Sequence, residues 1–135
     1  MSESKPKKAS PSMDMWLREA KLDTKVSQEG MFLVHNGIVR QTPKAQVREG
    51  IHDGSVVVGM HFSYDADKVD AAVKETYSMD GIYYVRTWLN EGQLSVGDDI
   101  MYVLIGGDVR PHVVDALQFL VSKIKNECVT EVEQN

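Results

Sequence analysis

Gly106-Gly107-Asp108-Val109-Arg110-Pro111-His112 is the stretch on which the fold turns. Before it, Asp99 to Ile105 is apolar on both faces, as a central strand must be. After it, residues 111 to about 127 follow helical spacing. Pro111 suits a first helical turn, where its missing N–H would have no intrahelical partner anyway. Two glycines let the backbone turn tightly and come close to a ligand. The free N–H groups of such a helix start attract anions, and Arg110 adds a fixed positive charge. The same residues also make an ordinary strand-to-helix turn, and this stretch alone leaves both readings open.

Projected at 100° per residue, Val113, Val114, Leu117, Leu120, Val121, Ile124 and Cys128 share an arc of about 120°, the expected core face. Phe119 lands nearly opposite, beside His112 and Ser122, which predicts a second packed surface and hence a subunit contact. Lys125 and Gln118 sit at one margin of the core arc, Lys123 at the other.

Moving back from the helix, Asn90 to Asp98 is turn chemistry with one apolar anchor, Leu94. Ile82 to Leu89 reads as a strand. Asp65 to Met79 has helical spacing, with Ala66, Val69, Val73 and Tyr77 on one stripe and Gly81 as a stop. Ser55 to Tyr64 alternates, placing Val56, Val58, Met60, Phe62 and Tyr64 on one face. Gln41 to Gly54 reads as a long loop. Gly30 to Arg40 is a largely buried strand with a bulge expected at Gly37, and Arg40 stands where that strand leaves the core. Asp14 to about Leu22 suits a short helix with Asp14 near its cap. Residues 1–12, polar and punctuated by proline, read as a disordered tail; the acidic residues 129–135 are expected to fray. A single domain over 13–128 follows. Strand, strand, helix, strand, strand, helix indicates an α+β domain with a mixed or mainly antiparallel sheet and two main helices.

A chain of 135 residues suits one core. Its net charge of −5 argues against a non-specific grip on nucleic acid or an anionic membrane. Cys128 is the single cysteine, so an intrachain disulfide and a cysteine zinc cage are excluded. No apolar run approaches the ~20 residues that span a bilayer, and no signal-peptide core is present, so a cytoplasmic location is the default expectation. His35, His52, His61 and His112 lack metal-ligand spacing and are taken as structural or solvated, and no metal or cofactor is expected. Cys128 on the core arc suits an inert thiol. Asp98-Asp99 after Gly97 fits a turn better than a paired acid–base site.

The remaining chemistry lies in cations at element ends: Arg40, Arg110, Lys123 and Lys125. A guanidinium fork binds two oxygens of a phosphate or carboxylate at once. A lysine at a core margin loses solvation, which makes it a usable base or nucleophile. Arg110 and Lys125 are fifteen residues apart, roughly 22 Å along one helix. They cannot hold one small ligand within one subunit, so a site using both must be shared across a dimer.

Three segments in register resemble the large (catalytic) subunit of molybdopterin synthase, making the chain a MoaE-like candidate. Gly30 to Arg40 is similar to that family's first strand, which ends in Gly-x-Val-Arg. Glu91 to Asp98 is similar to its Gly-x-Leu-x-x-Gly-(Asp/Glu) turn. Arg110 to Lys125, with Asp115-Ala116, Gln118-Phe119 and Ile124-Lys125, is similar to its last helix. The resemblance implies an α/β-hammerhead fold, a homodimer, and a small ubiquitin-like sulfur-carrier (MoaD-like) subunit whose Gly-Gly thiocarboxylate enters the site. The implied reaction moves sulfur onto cyclic pyranopterin monophosphate, a substrate rather than a cofactor, in molybdenum cofactor biosynthesis. Under that resemblance Lys125 is the catalytic lysine, Arg40 and Arg110 hold the pterin phosphate, and Lys123 assists in substrate binding. The family's histidine before the helix-start arginine is absent here, where Val109 precedes Arg110. Its Pro-x-Trp-Lys-(Lys/Arg)-Glu segment is replaced by Cys128-Val129-Thr130-Glu131-Val132-Glu133, so a second active-site lysine is missing. A catalytically impaired dimeric module that binds an anion, a pterin or a partner protein is the alternative reading.

Overall fold

The computed structural model describes residues 6–43, 50 and 56–134. Most of the expected Gln41–Gly54 loop, and His52 with it, lies outside them.

Three helices and six strands are present among these residues: α1 (Met13–Ala20), β1 (Met31–Ile38), β2 (Gly59–Tyr64), α2 (Ala66–Tyr77), β3 (Ile82–Leu89), β4 (Gly92–Ser95), β5 (Asp99–Gly107), α3 (Arg110–Lys123) and β6 (Val129–Gln134). A π-helical turn, Ile124–Cys128, joins α3 to β6. The strands form two three-stranded sheets, β1-β5-β3 and β4-β2-β6, and every pairing is antiparallel. The α+β expectation therefore holds, with the sheet divided in two.

β5 is central in the first sheet, as its two apolar faces require. Met101, Val103 and Ile105 point into the main core with Phe62, Leu94, Val113, Leu120 and Ile124. Leu104, on the other face, packs with Trp16 and Ala20 of α1, flanked by Tyr84, Trp88 and Tyr102. This alternation is the pleat of a strand buried on both sides. β1 is one of the two edge strands of that sheet and is only half-buried along most of its length, less than the sequence suggests. The bulge expected at Gly37 is present, with a register shift between Gly37 and Ile38.

Three segments differ from their sequence reading. Residues 129–134 do not fray; they pair with β2 along its length, from Gly59↔Gln134 to Tyr64↔Val129. That ladder satisfies an edge of β2 which would otherwise leave its N–H and C=O groups open, a long-range gain invisible in the composition of the tail. Residues 6–12 are docked rather than disordered. The Lys8 N–H donates to Asn90 Oδ1 at 2.7 Å, and its ammonium donates to the Tyr64 hydroxyl at 2.9 Å while lying over the Tyr64 and Trp88 rings. Ser12, not Asp14, caps α1 by accepting from the Met15 N–H. Glu91 to Ser95, read as turn, includes β4, where Leu94 is fully buried opposite Met60.

The helices also turn slightly from their projected faces. α2 buries Val69, Ala72 and Thr76 while Tyr77 is exposed along its body, its hydroxyl accepting from the Val85 N–H at 2.9 Å. The alternation of the second strand begins only at Gly59. Val57 is buried ahead of it, while Val56 and Val58 are exposed. α3 buries Val113, Ala116 and Leu120, and the following turn buries Ile124 and Cys128. Val114, Leu117 and Val121 are only half-buried.

Candidate functional site

Arg40 and Lys125 meet in one cleft at the junction of the two sheets, which also receives Met60, Met101, Glu131 and Glu133. Local structure explains the convergence. The β1 bulge ends the regular ladder, and Val39 then plugs the core at 1% exposure. The Val39 N–H donates to the Asp98 carbonyl at 3.0 Å, and its own carbonyl accepts from the Gly97 N–H at 2.8 Å. Arg40 is thus carried out to the surface on a backbone clamped to the turn before β5. Gly97 has φ +90°, a left-handed conformation that suits glycine and closes this turn.

Lys125 reaches the cleft through the π-helical turn. Ile124 and Cys128 anchor that turn in the core at 0% and 4% exposure. π turns widen a helix and redirect the side chains on it, often at functional sites. Lys123, two positions earlier, points about 200° away. Its ammonium pairs with Glu127 at 3.0 Å and with Glu75 at 3.8 Å, and these carboxylates, Glu127 foremost, push its pKa up. It opens on a separate hollow of about 440 Å³ shared with Lys68, Glu75 and Cys128. The structure therefore joins Arg40 to Lys125 and separates Lys123 from both.

The enclosed part of the cleft is small, about 30 Å³. It suits a terminal anionic group or an extended chain end, and the ring system of a larger guest would lie at its mouth. His35 lies close to Lys125. Burial, and then the Lys125 charge, lower its pKa, so its ring is neutral at physiological pH. Its Nε2 is buried and has no hydrogen-bond partner among the described residues. His35 also borders a largely apolar groove of about 260 Å³ with Leu117, Gln118, Val121 and Ser122.

Arg110 stands at the opposite end of α3, exposed at its first residue. The anion there is one of the chain's own. The Asp108 carboxylate accepts from the Val109 N–H at 2.6 Å and contacts His112 Nδ1 at 2.7 Å. That contact raises the His112 pKa and lowers that of Asp108. Gly81, at φ +75°, leaves the space the pair occupies; a Cβ there would collide with both side chains. The sequence reading treated His112 as structural or solvated and missed this pairing. The signal available was the i, i+4 spacing of Asp108 and His112 across a helix start.

A guanidinium and an ammonium face one cleft between the two antiparallel sheets of an α+β protein. The family model described as MoaE protein matches residues 12–127, and the chain belongs to that family. Solved structures share the fold at low identity. Molybdopterin synthase from Staphylococcus aureus superimposes with a TM-score of 0.69 at 15% identity, covering 92% of this chain and 85% of that one. A molybdopterin biosynthesis MoaE protein from Burkholderia ambifaria MC40-6 gives 0.68 at 14%, covering 94% and 80%. A complex of subunits 1 and 2 of molybdopterin-converting factor from Helicobacter pylori 26695 gives 0.64 at 12%, covering 91% and 78%. Comparison with curated proteins gives no match.

Proposed function

We propose that this chain acts as the large subunit of a molybdopterin synthase, moving sulfur from a small-subunit thiocarboxylate onto cyclic pyranopterin monophosphate. The observation that carries this reading is the meeting of Arg40 and Lys125, distant in sequence, in one narrow cleft. A guanidinium beside an ammonium suits a phosphate or a carboxylate-like chain end. In this reading Lys125 is the catalytic lysine and Arg40 binds substrate. The narrowness of the cleft fits entry of a glycine-terminated tail, since residues without side chains need the least room. The Helicobacter pylori relative, described as a two-subunit complex, supports a small sulfur-carrier partner for this chain.

The active unit in this proposal is a cytoplasmic homodimer. Arg110 is roughly 22 Å from Lys125 along the helix axis, so its place in the same site requires a second copy. The apolar groove beside His35, the half-buried Phe119 on the flank of α3 and the open edge of β1 offer a surface for that copy. Lys123, held by Glu75 and Glu127, serves this site only at a distance. Glu131 and Glu133 in the cleft favour the second reading, a dimeric binding module without turnover.

Reconstitution with thiocarboxylated small subunit and cyclic pyranopterin monophosphate separates the two readings. The wild-type chain is expected to form the dithiolene product, and Lys125→Ala to lose about 100-fold or more in rate. Full activity in Lys125→Ala would remove that lysine from catalysis, and no product from the wild-type chain would favour the binding module.

A further inference from the structure

The terminal strand β6 does more than close a sheet edge. In its register with β2, Glu133 lies opposite Met60 and Glu131 opposite Phe62, both of which are buried. Paired residues of an antiparallel ladder share a face, so these two glutamates are on the inward side while Thr130 and Val132 are on the outward one. Both glutamates line the cleft that holds Arg40 and Lys125. Two cations and two carboxylates thus border a space of about 30 Å³, and the guest meets a site whose charge is already balanced.

We infer that Glu131 and Glu133 are specificity-determining residues, acting as an internal carboxylate competitor that bars bare inorganic anions from the Arg40–Lys125 cleft. The inference rests on the proposal that this cleft receives an anion. A freely diffusing phosphate or carboxylate must displace or outbid carboxylates fixed beside the same cations. An anionic group delivered on the tail of a docked protein arrives at an effective concentration in the millimolar range or above, because docking makes its entry intramolecular. The strand therefore selects for an anion that brings further contacts of its own, on a docked partner's tail or on a larger substrate, over a bare inorganic anion. The repulsion acts at close quarters in a partly enclosed site, where salt screens it poorly.

Titration of the full-length chain with inorganic pyrophosphate, followed by calorimetry, tests this. Glu131→Gln/Glu133→Gln keeps side-chain size and strand register while removing both charges. It is expected to bind pyrophosphate about tenfold tighter or better than wild type, a change of about 1.4 kcal/mol. Adding Lys125→Ala to that variant should abolish the gain. Glu75→Gln/Glu127→Gln, which removes two carboxylates paired with Lys123 outside the cleft, is expected to leave affinity within twofold of wild type and so controls for net charge. Amide spectra of β6 and β2 verify that the ladder is intact in each variant. Equal affinity in wild type and the double glutamine variant, with Lys125→Ala still weakening binding, would overturn the competitor role and leave the anion cleft standing. Indifference of pyrophosphate binding to Lys125→Ala and Arg40→Ala would overturn both. A gain as large in Glu75→Gln/Glu127→Gln would also overturn the inference, since general charge would then explain it.

Discussion

Gly107→Ala, set beside Gly37→Ala, tests how the glycines of the first sheet fix the start of α3. A Cβ on Gly107 would lie 2.5 Å from the Gly81 carbonyl oxygen and 2.7 Å from Val113 Cγ2. Both are well inside van der Waals contact, and the first obstacle is backbone. That carbonyl also accepts the Asp108 N–H at 2.9 Å. Relieving the clash forces β5 away from the turn at Gly81 and strains the bond that positions Asp108. Overpacking of this kind costs about 1–3 kcal/mol, and a weakened backbone hydrogen bond adds about 1 kcal/mol. Loss of glycine's freedom in the unfolded chain returns about 0.4–1 kcal/mol. A net destabilisation of about 2–3 kcal/mol follows. At Gly37 the nearest atoms to an added Cβ are His35 Nε2 at 3.6 Å and Met101 Cγ at 3.8 Å. Those are ordinary contacts, so Gly37→Ala should fall within about 1 kcal/mol of wild type. Urea unfolding reads both, and with a slope of about 2 kcal/mol per molar the Gly107→Ala midpoint drops by about 1 M or more. An unchanged midpoint in Gly107→Ala, or an equal drop in Gly37→Ala, would refute the steric reasoning.

Two further outcomes follow from the titrating groups. His112, raised by Asp108, should titrate above the ordinary histidine range by NMR and return toward it in Asp108→Asn. Because the folded His112 pKa is raised, its stabilisation is complete below the unfolded value and is lost as pH rises through the folded one. Asp108 is lowered, so its share is present above the unfolded carboxylate value and is lost as pH falls through the folded one. The pair therefore contributes fully between about pH 5 and 6, and an Asp108→Asn stability deficit that does not shrink toward pH 8 would contradict the pairing. Burial pushes the Cys128 thiol up, so native protein should react with a thiol reagent at least about tenfold more slowly than urea-unfolded protein. Equal rates would show that the turn after α3 opens readily.

The strands β3 and β5 were legible because their signals are local. Ile82 to Leu89 is bounded by turn residues, and β5 is apolar on both faces as only a central strand is. The bulge at Gly37 was legible for the same reason. β4 and β6 were not: Gly92–Ser95 is turn-like in composition, Val129, Thr130 and Val132 are interleaved with acidic and amide side chains, and each strand is stabilised by a partner edge on β2. Residues 6–12 look disordered by composition, yet Lys8 finds two aromatic rings and Asn90 that only the fold assembles. Among site residues, the helical projection put Lys125 at the core margin and Lys123 at the opposite one, and the structure keeps that separation. Only the family resemblance placed Arg40 in one site with Lys125, because periodicity along one helix cannot show how the two sheets meet. The paired glycines Gly106 and Gly107 left open an ordinary tight turn or room for a ligand. The atoms they make room for are Phe32, the Gly81 carbonyl and Val113. Likewise the acidic tail showed its charge in the sequence but not its direction, which the register with β2 determines.

In the proposed dimer, cations from two copies of the chain serve one guest, Lys125 and Arg40 from one and Arg110 from the other. Mixing two inactive variants tests it most directly. Arg110→Ala and Lys125→Ala homodimers are unfolded together, refolded to reassort, and assayed for sulfur transfer with thiocarboxylated small subunit. With random reassortment, half the dimers are mixed and each rebuilds one intact site of its two, so about a quarter of wild-type activity should return. Activity no greater than that of the separate variants would contradict a site shared between chains.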